Sequence, residues 1–134
     1  MTQDKPGLYV IDSVEAKRIA EEYSHDGWRV IFFPSGIASI DQFYDAIRSN
    51  CPLAPPLHSN RSWGALADSL WSGLDELEDE KIAIFWPNSD RMKKAESDAF
   101  AIATDILADL CASLADQNRT ASGTKALVVF QTKN

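Results

Sequence analysis

The sequence predicts an α/β domain built on a small parallel three-stranded sheet covered by helices. Three observations carry that expectation. Short apolar runs bounded by turn residues recur at "WRVIFF" (28–33), "KIAIFW" (81–86) and "KALVVFQ" (125–131). Stretches with helical spacing of apolar residues separate them. The runs are rich in apolar residues, as in strands buried in a sheet covered by helices. Parallel strands joined through helices should form right-handed crossovers.

Each element has its own local signal. "GLYVID" (7–12) reads as a short strand or an extended arm. Asp12 with Glu15 three residues on suits a helix start, and Val14, Ile19, Ala20 and Tyr23 continue it as far as "SHDG". Ser39 with Gln42 forms a capping box, followed by Ile40, Phe43, Tyr44 and Ile47 at helical spacing. "NCPLAPPLHSNR" then breaks the pattern with three prolines in five positions, so it should be stiff and extended. Ser62 can cap a helix over 63–77. A long helix is expected over 91–116, with Phe100, Ala103, Leu107, Leu110 and Leu114 on one stripe. "NRTASGT" is a loop before the last strand. Residues 1–27 are read as an N-terminal extension packed on the domain, and 28–134 as the domain itself.

The chain has 134 residues, enough for one domain with a sizeable core. Its net charge is −7. Long-range forces therefore oppose nucleic acids and anionic membranes and favour a basic partner. Cys51 and Cys111 have neither metal-type spacing nor a CxxC arrangement and read as reduced thiols. "MTQDKPGLYV" lacks a basic start followed by an apolar run, so a cytoplasmic location is expected. No apolar run approaches the ~18 residues of a membrane span.

Chemistry-bearing motifs are sparse. His25 and His58 fall in different loops. No GxSxG, GxGxxG, P-loop or HExxH is present, and no ligand set for a metal. Neither catalysis nor a cofactor is expected. Nucleic-acid reading is not expected either, since Arg61, Arg91, Lys93 and Lys94 do not offset the acidic balance. Trp28, Trp63 and Trp86 are assigned to the core.

What stands out is "HSNRSWGALADSLW" (58–71). At about 100° per residue, Trp63, Leu66, Leu70 and Leu77 fall on one side of its helix. Asp68, Ser72, Asp75 and, if the helix extends, Asp79 fall on the other, near Gly64 and bordered by Trp71. A solvated face would look the same. A ridge shaped for a basic cleft would also look like this: small neighbours admit the partner and a carboxylate takes the place of a phosphate. Glu76, Glu78 and Glu80 would then steer the encounter.

At these residues the chain resembles the barstar family, intracellular inhibitors of barnase-type ribonucleases. Pro56, Trp63, Ala65, Leu66, Ala67, Asp68 and Leu70 agree with the family segment without a gap, and the order of elements over 28–131 agrees too. The resemblance implies a barstar-like fold and an immunity-type function, in which this helix and the loop before it cover a small basic ribonuclease's active site. Asp68 matches the acid that occupies the phosphate site. His58 and Asn60 match loop contacts, and Gly64 matches a second contact acid. A further family acid lies on the long helix, where Asp105 or Asp109 could serve. The partner-binding set expected from sequence is thus Asp68, His58, Asn60, Gly64, Trp71, Ser72 and Asp75. The free protein is expected to be a monomer. The chain departs from the family at Gly64 (often Asp), Ser62 (Asn), Asn60 (Gly), His58 (an aromatic) and Ala67 (Trp in the best-known member). These departures keep open a second reading, a regulatory module of the same fold with a partner other than a nuclease.

Overall fold

The structure is a computed structural model and describes residues 5–120 and 123–133. Four parallel strands form one sheet: β1 (Gly7–Ile11), β2 (Arg29–Phe32), β3 (Lys81–Trp86) and β4 (Ala126–Thr132), in the order β1-β4-β3-β2. The helices are α1 (Ser13–His25), α2 (Ile40–Asn50), α3 (Trp63–Glu76), α4 (Asp90–Ala95) and α5 (Ser97–Leu114).

The sheet thus has four strands where the sequence predicts three. "GLYVI" pairs with the outer edge of β4 in parallel register, Tyr9 beside Phe130. Residues 7–25 supply both this edge strand and α1, which contribute to the same sheet. β1 is a half-buried edge strand of only five residues, too short for its apolar run to distinguish a strand from an extended arm.

Strand alternation divides the core into two layers. Ile82, Ile84, Trp86, Leu127 and Val129 face one side, with Phe43, Ile47, Leu66, Leu70, Leu74, Ala103 and Leu107 from α2, α3 and α5. Ala83, Phe85, Val128 and Phe130 face the other, with Ala16, Ala20 and Tyr23 of α1 and with Trp28. The chain crosses from β1 to β2 over the α1 face, then steps back through β3 to β4 over the opposite face. Direction and face reverse together, so the crossovers share one hand.

The expected long helix is two helices. The backbone leaves helical geometry at Glu96 (φ −144°, ψ 73°). The Glu96 carboxylate accepts the Ile40 N–H at 2.7 Å, closing the N-terminus of α2. At that same end Ser39 Oγ accepts from Gln42 N (3.1 Å), and Gln42 Oε1 accepts from Ala38 N (2.8 Å). Among the described residues no helix is long and apolar enough to cross a membrane.

Candidate protein-binding site

The helix of interest begins where the sequence places it. Ser62 is the N-cap, its hydroxyl accepting the Ala65 N–H at 3.0 Å. Leu66, Leu70 and Leu74 are fully buried against the sheet, and each such burial stabilises by about 2 kcal/mol. Trp63 is half-buried, packed on Tyr44 and Phe43 with ring centroids 5.2 and 6.0 Å away. Trp28 and Trp86 are buried.

With its leucines held inward, α3 turns Asp68 outward, where it is exposed. Beside it a shallow cleft of about 190 Å³ opens between α3 and α5. Ala67, Asp68 and Trp71 form one wall, and Ile106, Asp109 and Leu110 the other. The two expected acids of the long helix are thereby distinguished: Asp109 lines the cleft that Asp68 lines, and Asp105 does not. Trp71 is half-buried, leaving part of its ring available between the two carboxylates. A concave surface with two acids and an aromatic can receive a cation together with apolar area.

The other expected residues divide. Gly64 is exposed, and a Cβ there would meet nothing nearer than Ser62 Oγ at 3.9 Å. Its missing side chain is therefore not a packing requirement. His58 is exposed on the loop before α3. Ser72 is half-buried and does not line the cleft.

Two expectations need correction. Asp75 is not on an outer face: it is 5% exposed, and its Oδ1 is buried with no hydrogen-bond partner. Gly73, Leu74 and Asp75 are buried in succession, so the last turn of α3 is enclosed on more than one side. Asn60 does not offer its side chain outward as a loop contact. Its Oδ1 accepts from Arg48 Nη2 and its Nδ2 donates to Asp41 Oδ1 at 3.0 Å. No sequence pattern announces a partner twelve or nineteen residues away.

Asp79 lies beyond the end of α3 at Glu76 and pairs with Arg29 at 2.8 Å. The hydrogen bond from Arg29 lowers its pKa, against a smaller desolvation effect that raises it. The buried Lys125 donates from Nζ to the carbonyls of Leu77 (2.5 Å) and Asp79 (2.9 Å), closing the same end of the helix.

The site offers little to a catalyst. Burial pushes the Cys51 and Cys111 thiols up to about 12, so at neutral pH they are not thiolates. Among the described residues no group of three or more His, Cys, Asp or Glu is placed to hold a metal ion. Larger concavities of the surface, of about 290 and 630 Å³, hold none of the expected site residues.

No curated protein and no solved structure matches the chain. The family model described as "Barstar (barnase inhibitor)" matches residues 30–124, a span that runs from β2 through α5 and contains the whole Asp68 cleft. The chain therefore belongs to the barstar family.

Proposed function

We propose that this protein inhibits a small basic ribonuclease by docking the N-terminal half of α3, with the loop before it, into the enzyme's active site. Asp68 takes the place of a phosphate there. The observation that carries the proposal is the exposed Asp68 on the family's segment, sharing a cleft with Asp109 and Trp71. A nuclease site that binds phosphate presents cationic side chains, and a carboxylate can pair with them without being cleaved. Trp71 supplies apolar contact beside the charge, His58 meets the rim, and the bare Gly64 lets the partner approach closely. Ser72 and Asp75 have no part in the contact. The inhibitor acts as a cytoplasmic, immunity-type monomer and needs no cofactor.

The net charge of −7 raises the rate of encounter with a basic partner and makes it fall with salt. Immobilised protein, compared with its Asp68→Ala variant, tests the reading on proteins from the source cell and its secretions. Wild type alone should retain a small basic protein that cleaves RNA and is silenced by the complex. A different partner retained equally by both would overturn it.

A specific observation favours a second reading. Gly64 carries no acid, and the Asn60 side chain is used internally. The interface thus has fewer groups suited to a nuclease than the family pattern implies. On this reading the fold serves as a regulatory module for a non-nuclease partner, and the retained protein would have no RNase activity.

A further inference from the structure

The loop before α3 is fastened at both ends. Leu57 is buried in the core and Ser62 caps the helix. Between them lie His58, Ser59, Asn60 and Arg61, all exposed but Asn60, which is half-buried. Four such residues between two anchors would ordinarily sample many conformations, and a partner would bear the entropy of ordering them.

Here a third fastening exists. Arg48, on α2, donates from Nε to the Leu57 carbonyl at 2.7 Å and from Nη2 to Asn60 Oδ1. Its guanidinium lies over the Tyr44 ring, 5.8 Å from the centroid, with Asp45 Oδ1 at 3.4 Å from Nη1. Asn60 Nδ2 donates in turn to Asp41 Oδ1 at 3.0 Å. The amide of Asn60 is thus engaged at both its oxygen and its nitrogen by two residues of one rigid helix. The guanidinium fork meets two acceptors of the loop at once, a geometry that lysine cannot reproduce.

We infer that Arg48, Asn60 and Asp41 form a lock that holds the loop of residues 57–61 in its presenting conformation before any partner arrives. They are positioning residues: none need touch the partner. The lock keeps His58 and Arg61 pointing outward, and the Arg61 N–H, bonded to Ser59 Oγ at 3.1 Å, reports on it. The consequence for affinity rests on the proposed inhibitor function; the ordering of the free loop does not.

The test uses the full chain and three variants: Asn60→Ala, Arg48→Lys, and the exchange Asp41→Asn with Asn60→Asp. The exchange preserves both hydrogen bonds, because the new carboxylate accepts from Arg48 and from the new amide. Hydrogen exchange is measured at the Ser59, Asn60 and Arg61 amides, where the variant keeps them, and at Leu70 and Leu74 within α3. Asn60→Ala and Arg48→Lys should speed the loop amides about tenfold or more and leave α3 unchanged. The paired exchange should restore protection. Against a panel of purified barnase-type ribonucleases, the single variants should bind about tenfold more weakly than wild type, with recovery in the pair. Loop amides unchanged in Asn60→Ala, or unrestored in the pair, would overturn the lock. If wild type bound no ribonuclease, the inhibitor reading would fall while the exchange data alone decided the lock.

Discussion

Asp68 and Asp75 sit two turns apart on one helix and, at about 100° per residue, point almost the same way. One is exposed beside a cleft; the other is 5% exposed with an unpartnered oxygen. Periodicity treats them as equals, and the difference between them is tertiary. The first half of α3 packs on α2 and the sheet on one side and opens onto the cleft toward α5 on the other. The second half is drawn into the body of the protein, with Gly73 against the 52–53 backbone and Lys125 reaching the carbonyls that follow. A helix face is therefore open to a partner where nothing else covers it, and the same face a turn or two later can be interior.

The contrast predicts a hierarchy of effects. Asp68→Ala should weaken partner binding by about 2 kcal/mol or more, as expected for a central desolvated anchor. The rim change Glu80→Ala should cost well under ~1 kcal/mol. Asp75→Asn should leave affinity untouched. Affinity by isothermal titration distinguishes the three, and equal losses for Asp68 and Asp75 would break the comparison.

The two glycines of α3 sharpen it on the stability side. A Cβ at Gly73 would lie 2.1 Å from the Pro52 carbonyl oxygen, a backbone atom that cannot swing aside. Gly73→Ala should cost about 3 kcal/mol through overpacking, read as a lowered melting temperature and denaturant midpoint. Lys125→Met should follow. It deletes two charge-assisted bonds and leaves two partly buried carbonyls short of a donor, for about 1.5–3 kcal/mol in denaturant unfolding.

Gly64→Asp is the gain-of-function arm. The position is open, and an acid in the first turn suits the helix dipole, so folding should be unharmed. If the partner is a ribonuclease, the new carboxylate should tighten binding about tenfold and steepen its salt dependence. Weakened binding would favour the non-nuclease reading.

The smallest effect belongs to the Arg29–Asp79 pair. Its hydrogen bond lowers the Asp79 pKa, so its stabilisation is present above the unfolded-state value, near pH ~4. It is lost as pH falls through the folded-state value. Both partners are substantially exposed, so solvent screening keeps the contribution well under ~1 kcal/mol. Arg29→Gln should lower stability at neutral pH by that small amount, change nothing once Asp79 is protonated, and so flatten the acid limb slightly.

Much of this molecule is legible before folding. The apolar runs at 28–33, 81–86 and 125–131 become β2, β3 and β4; the inner strands β3 and β4 are covered on both faces and need no alternation to be recognised. The caps at Ser39 and Ser62 are local, within three residues of what they bind. The exposed Asp68 follows from three leucines fixing the opposite side of α3. What escapes is long-range. Glu96 breaks a helix where its carboxylate meets Ile40, fifty-six residues away. Asn60 turns inward because Arg48 and Asp41 are there to receive it. β1 joins the sheet because β4 leaves an edge to pair with. In each case the deciding partner is distant in sequence, and no local period encodes it.

The most direct test of the central claim is a titration of a barnase-type ribonuclease's RNA cleavage with wild type, Asp68→Ala and Asp75→Asn at low and physiological salt. The account predicts that wild type and Asp75→Asn abolish cleavage at one equivalent. Asp68→Ala should require a large excess, and the requirement should grow with salt. Full activity in the presence of all three, or equal inhibition by wild type and Asp68→Ala, would contradict it.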